Sequence, residues 1–202
     1  MGPGDVQWMT AGSGVVHSEM PHPDFLRTGG VLNGFQLWVN LLARDKMIRP
    51  RYQEIPAAEI PVGRSPDGLA EVRVLAGEAL GKKAVIETHT PIEFLHFTLR
   101  PGARVEQPVS SDRNAFLYVI SGEGTVADRS LRDGQVAVFG PGEAVVMEVP
   151  AAAAGPWSFL LLSGRPLNEP VARYGPFVMN NFDEITRAFE DYHAGRLNPV
   201  AV

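Results

Sequence analysis

The sequence predicts an all-β protein, a barrel or sandwich of short strands with one helix near the C-terminus. Glycine and proline, 21 and 17 of 202 residues, are more abundant than a helical protein tolerates and suit short strands joined by turns. Apolar runs of four to eight residues are bounded by turn signals such as Arg100-Pro-Gly-Ala and Ser121-Gly-Glu-Gly. The one clear helical periodicity lies near the end, in Asn181-Phe-Asp-Glu-Ile-Thr-Arg-Ala-Phe-Glu-Asp-Tyr-His.

Taken in order, glycines 2, 4, 12 and 14 bracket the apolar run Val6 to Met9, which reads as strand, tight turn, strand. If Val15 to Glu19 is that second strand, alternation puts His17 and Glu19 on one face and Ser18 on the other. An imidazole and a carboxylate two residues apart make half of a metal site. On spacing alone, a hydrogen-bonded core histidine with a surface carboxylate is the better reading. Met20 to Gly30, with Pro21, Pro23 and a Gly-Gly pair, is a loop that contains His22. Gly34 to Leu42 carries apolar groups on both alternating faces, so a strand covered on both sides is expected there, with Trp38 stacked on another layer.

Residues 43–68 read as a linker, with Pro50, Pro56, Pro61 and Pro66. Its basic residues Arg44, Lys46, Arg49 and Arg51 are diluted by Asp45 and Glu54 and read as a solvated face. From Leu69 onward strands are expected at 70–76, 95–99, 115–120, 124–127, 135–139, 144–149 and 158–163. His96, between Leu95 and Phe97, reads as a strand histidine making a hydrogen bond, and His89 has no partner ligand nearby. In the terminal helix Asn181 is placed to cap and Glu184 to sit at the third helical position. Ile185, Ala188, Phe189 and Tyr192 form its apolar stripe, Gly195 stops it, and His193 is a capping or surface group.

The string GPGDVQWMTAGSGVVHSEMP, followed by GFQLWVNLLARDKM and PRYQEI, resembles the pirin family of bicupin proteins. The likeness continues through NAFLYVISGEGTV to EPVARYGPFVMNNFDEITRAFEDYHAGRL, nearly the whole chain. The resemblance implies a double-stranded β-helix (cupin) bicupin. It divides the chain into the C-terminal part of a first cupin (1–42), the linker (43–68), a complete second cupin (69–165) and an extension (166–202) with a helix at about 182–194. It also implies a mononuclear metal, usually iron, held by three histidines and a glutamate. His-Ser-Glu supplies the last two of these, which carries the ligand role onto His17 and Glu19. The other two belong to a His-Pro-His segment that precedes the matching region, so the chain reads as a pirin whose first cupin is truncated. In the second cupin the places that would hold ligands fall near Pro108, Ser110, Ala115 and Val145, none of which binds metal.

The resemblance implies three functions. One is a quercetin dioxygenase-like enzyme, in which Glu19 is both metal ligand and general base and His17 a neutral nitrogen ligand; with two ligands of four, weak or no turnover of a flavonol-like substrate is expected. Another is an iron-dependent regulator that binds a protein partner, and a third a non-functional truncated product. A nitrogen and oxygen donor set without sulfur admits divalent metals other than iron. A net charge of −5 argues against direct binding to nucleic acid. The absence of cysteine fits a cytoplasmic protein, and no apolar run of membrane-spanning length occurs. An incomplete barrel leaves open strand edges, through which a homo-oligomer is expected to form.

Overall fold

The computed structural model describes residues 1–21 and 23–197; His22, the loop histidine, lies outside them. Two compact units are present, one built from Met1–Pro56 together with the chain from Leu167 onward, the other from the contiguous stretch Ala57–Pro166. No helix among the described residues is long and apolar enough to cross a membrane.

The contiguous unit consists of two antiparallel sheets. In chain order its strands are β3 (Val62–Arg64), β4 (Ala70–Ala76), β5 (Glu78–Ala79), β6 (Lys82–Lys83), β7 (Ile92–Leu99), β8 (Arg104–Pro108), β9 (Asn114–Ser121), β10 (Glu123–Val126), β11 (Arg129–Arg132), β12 (Val136–Phe139), β13 (Ala144–Glu148) and β14 (Trp157–Gly164); β1 and β2 belong to the other unit. A six-stranded sheet runs β12-β9-β14-β7-β4-β3 and a four-stranded one β11-β10-β13-β8, with β5 and β6 forming a small separate hairpin. Alternation builds the core: Leu95, Phe97 and Leu99 of β7, Leu117 and Val119 of β9, and Val105 of β8 are buried, while their neighbours in sequence are not. β14 is the exception. Paired on both edges by β7 and β9, it is buried from Trp157 to Ser163 except at Ser158.

Each strand expected between Leu69 and Ser163 has a counterpart within three residues at either end. Gly124, in one of the turn signals, has a packing reason: a Cβ there would fall inside the ring of Trp157. At Gly122 the backbone takes φ +82° and approaches the carbonyl of Pro156, which requires glycine twice over. The sequence reading passed over the short strands β3, β5, β6 and β11 and also β8, whose burial alternates Arg104 out, Val105 in, Glu106 out, Gln107 in.

In the other unit β1 (Val6–Thr10) pairs antiparallel with β2 (Arg51–Ile55), from Val6 opposite Ile55 to Thr10 opposite Arg51. β2 lies inside the segment read as a linker. The turn after β1 forms, with Gly14 N–H donating to Ala11 O, but Ser13 N–H donates to Ile48 O and the chain does not return as a strand. Val15 to Glu19 has no sheet pairing, which corrects the expected second strand. Gly34 to Leu42 also lacks one. Val31, Leu32, Phe35 and Trp38 are exposed, and the Trp38 ring meets the Arg173 guanidinium at 4.8 Å instead of a covering layer. A short helix, α1 (Pro23–Thr28), interrupts the expected loop.

The basic face is corrected at one position. Lys46 is buried, and its ammonium donates to Asn40 Oδ1 at 2.7 Å and Val178 O at 3.2 Å. Val178 belongs to a hairpin of β15 (Ala172–Tyr174) and β16 (Phe177–Met179), and α2 (Phe182–His193) follows it. The capping pair forms as expected at Asn181, whose side chain accepts from Glu184 N–H at 3.0 Å; Glu184 Oε2 in turn accepts from Asn180 N–H at 2.8 Å. Of the apolar stripe, Ile185 is buried, Ala188 and Phe189 half-buried, and Tyr192 exposed. Phe189 meets Phe177 edge-on at 4.9 Å and Tyr174 at 5.7 Å, joining helix to hairpin.

Candidate metal centre

His17 and Glu19 lie on the unpaired stretch after β1, yet the chain brings them together as alternation requires. His17 Nδ1 is 3.9 Å from Glu19 Oε1, with side chains 30% and 54% exposed. Gln36 Nε2 donates to the other carboxylate oxygen at 3.3 Å, so Gln36 holds the orientation of Glu19. Among the described residues no group of three or more His, Cys, Asp or Glu side chains is placed to hold a metal ion. His89 and His193 are exposed elsewhere, and His96 Nε2 is hydrogen-bonded to Ser158 Oγ at 2.9 Å, the strand-histidine reading.

Tyr52 is the residue of this site that sequence reasoning missed. It projects from β2, opposite Met9, and its ring centroid is 6.4 Å from that of His17. Its hydroxyl is buried with no hydrogen-bond partner among the described residues, an arrangement that costs about 1–3 kcal/mol unless something fills the gap. Burial first, then the charges of Glu19 and Glu54, push the phenol above its ordinary pKa. The available signal was period two in Arg51-Tyr-Gln-Glu-Ile, which sets Tyr52 and Glu54 on one face of a strand. An imidazole, a carboxylate and an unsatisfied phenol oxygen fit a cation that takes nitrogen and oxygen donors.

The contiguous unit offers no such set. Ala115 and Val145 are buried apolar residues, Pro108 ends β8, and Ser110 Oγ donates to Asp112 Oδ1 at 2.6 Å. At the same end of the sheets, Ser163 Oγ donates to Glu93 Oε2 at 2.7 Å and accepts from Arg113 Nη1 at 3.4 Å. Arg113 also lies 3.8 Å from Glu93 Oε1, so this half-buried cluster satisfies its own charges.

Two family models match the chain. The model of the pirin C-terminal cupin domain matches residues 94–198, and the Pirin model matches residues 1–39. A pirin-like protein of Solanum lycopersicum is 46% identical over 96% of this chain and 64% of its own length. Human pirin is 42% identical over 95% of this chain and 64% of its own. The chain thus spans a little under two thirds of the curated relatives it matches. Among solved structures it is similar to a quercetin 2,3-dioxygenase from Acinetobacter baumannii, with TM-score 0.88 and 36% identity over 98% of this chain and 68% of that one. This chain belongs to the pirin family and has its all-β cupin fold with a C-terminal helix.

Proposed function

We propose that the chain is a metal-binding pirin whose site is held by His17 and Glu19 and whose chemistry is of the quercetin dioxygenase type. The observation that carries this reading is the approach of His17 Nδ1 to Glu19 Oε1, 3.9 Å, on a stretch that no sheet pairing holds in place. His17 supplies a neutral ring nitrogen and Glu19 a carboxylate oxygen. The metal, iron by family likeness, supplies positive charge that stabilises a substrate oxyanion. Glu19 takes the proton of a flavonol-like hydroxyl, and Gln36 keeps its carboxylate turned for that transfer.

The test is metal content per chain by elemental mass spectrometry, on the 202-residue protein and on His17→Ala. The expected result is near one metal per wild-type chain and a loss of at least about tenfold in occupancy in the variant. A metal-free wild type sinks the reading. Flavonol consumption by the loaded protein, abolished in Glu19→Gln, then separates an enzyme from a mere metal carrier.

A second reading, an iron-dependent regulator that binds a protein partner, is supported by the exposed apolar stretch: Val31 is 84% exposed and Leu32 72%. Capture of a partner with no flavonol turnover distinguishes it.

A further inference from the structure

A buried hydroxyl without a partner is rare in folded proteins, and where one persists it marks a bound ion, a water or a functional group. Tyr52 has such a hydroxyl among the described residues, and its ring centroid lies 6.4 Å from that of His17. β2 fixes the ring through its register with β1, in which Met9 faces Tyr52 and Gln7 faces Glu54. The backbone under the phenol is therefore set by ladder hydrogen bonds on a paired strand. His17 and Glu19, by contrast, come from a stretch with no ladder.

We infer that Tyr52 is a third protein ligand of the cation held by His17 and Glu19, bound through its phenol oxygen. The inference rests on the metal-site reading above. Coordination breaks the phenol O–H bond heterolytically, passes the proton to solvent and forms a metal–oxygen bond, with no change in oxidation state. Phenol oxygen is a hard donor that favours a ferric ion over softer metals. The fixed strand makes Tyr52 the anchor of the set, and the unpaired stretch closes onto it.

The experiment uses the 202-residue chain, stripped of metal and then loaded with ferric iron. Bound iron and the visible spectrum are read together for wild type, Tyr52→Phe and His17→Ala. A visible phenolate-to-iron charge-transfer band is expected to grow in proportion to bound iron, and to be absent in Tyr52→Phe. Iron affinity in Tyr52→Phe is expected to fall by about tenfold or more. The variant removes only an unpaired oxygen, so its metal-free melting temperature should equal or exceed that of the wild type, which shows that it folds. Iron that binds, is lost in His17→Ala and gives no band overturns the role of Tyr52 and leaves the His17 and Glu19 site standing. A band that persists in Tyr52→Phe assigns it to another tyrosine and also overturns the inference. No iron on the wild type overturns the site itself.

Discussion

His96 is a half-buried base whose ring meets one hydroxyl, Ser158 Oγ, while Arg73 lies opposite it in the β4–β7 register. Burial, reinforced by the Arg73 charge and opposed by Glu71, holds its pKa below the ordinary 6.5. The folded protein thus keeps His96 neutral further into acid than the unfolded chain does, and below 6.5 the unfolded state binds more protons. This part of the stability is fully present above that value and is lost as pH falls through it. Urea midpoints measured from about pH 7 to about pH 5.5 should decline for the wild type, and decline less for His96→Gln. Equal slopes would show that the histidine protonates as easily folded as unfolded. Lys46 is the opposite kind of buried charge: burial lowers its pKa, while Glu169 and Glu184 act to raise it, and its ammonium donates to Asn40 Oδ1 and Val178 O. It is a structural cation. Four basic residues in a row of prolines look solvated, because sequence shows charge density and not which side chain turns inward.

At the scale of elements, α2 begins with a reciprocal cap in which Asn181 and Glu184 satisfy two otherwise orphaned donors, Glu184 N–H and Asn180 N–H. Asn181→Ala should cost about 1 kcal/mol, read as a lowered thermal midpoint with the β signal of the circular dichroism spectrum unchanged before the transition. An unaltered midpoint would mean that the contacts of Phe189 with Phe177 and Tyr174 hold the helix without the cap. This element was legible because cap, acidic first turn, apolar spacing and terminal glycine all agree. Strands β4, β7, β9, β10, β12, β13 and β14 were legible for the same reason, alternation between glycine turns. β2 was hidden by Pro50 and Pro56 on either side and by its charges. Gly34 to Leu42 shows the reverse failure: its alternation is that of a strand, but a strand exists only where another edge receives its hydrogen bonds. His17 and Glu19 were legible because two-residue spacing brings side chains to one side in any extended chain, paired or not. Tyr52 was not, because nothing in sequence says that a hydroxyl thirty-odd positions away will be buried beside them.

At the scale of the whole molecule, the two units differ in how they are cut from the chain. Ala57–Pro166 is contiguous and contains its own core, from Ala70 to Leu161. Expressed alone, this segment should unfold cooperatively on heating, with a single transition seen alike by near- and far-ultraviolet circular dichroism. A broad, probe-dependent transition would show that its sheets need the rest of the chain. The other unit joins residues before Pro56 to residues after Leu167, so it cannot be assembled from one continuous piece.

That discontinuity sets a schedule on the ribosome. Residues 1–56 emerge before the intervening stretch of roughly 110 residues and then wait while it is translated, about 5 to 20 s at ordinary elongation rates. During that interval the central sheets can close, whereas Val6 to Thr10 and the apolar stretch from Val31 to Trp38 are held without the C-terminal hairpin and helix. The nascent chain therefore carries an unpartnered apolar segment for seconds. Its yield in cells should depend on holdase chaperones acting early in synthesis more than on the stability of the finished fold.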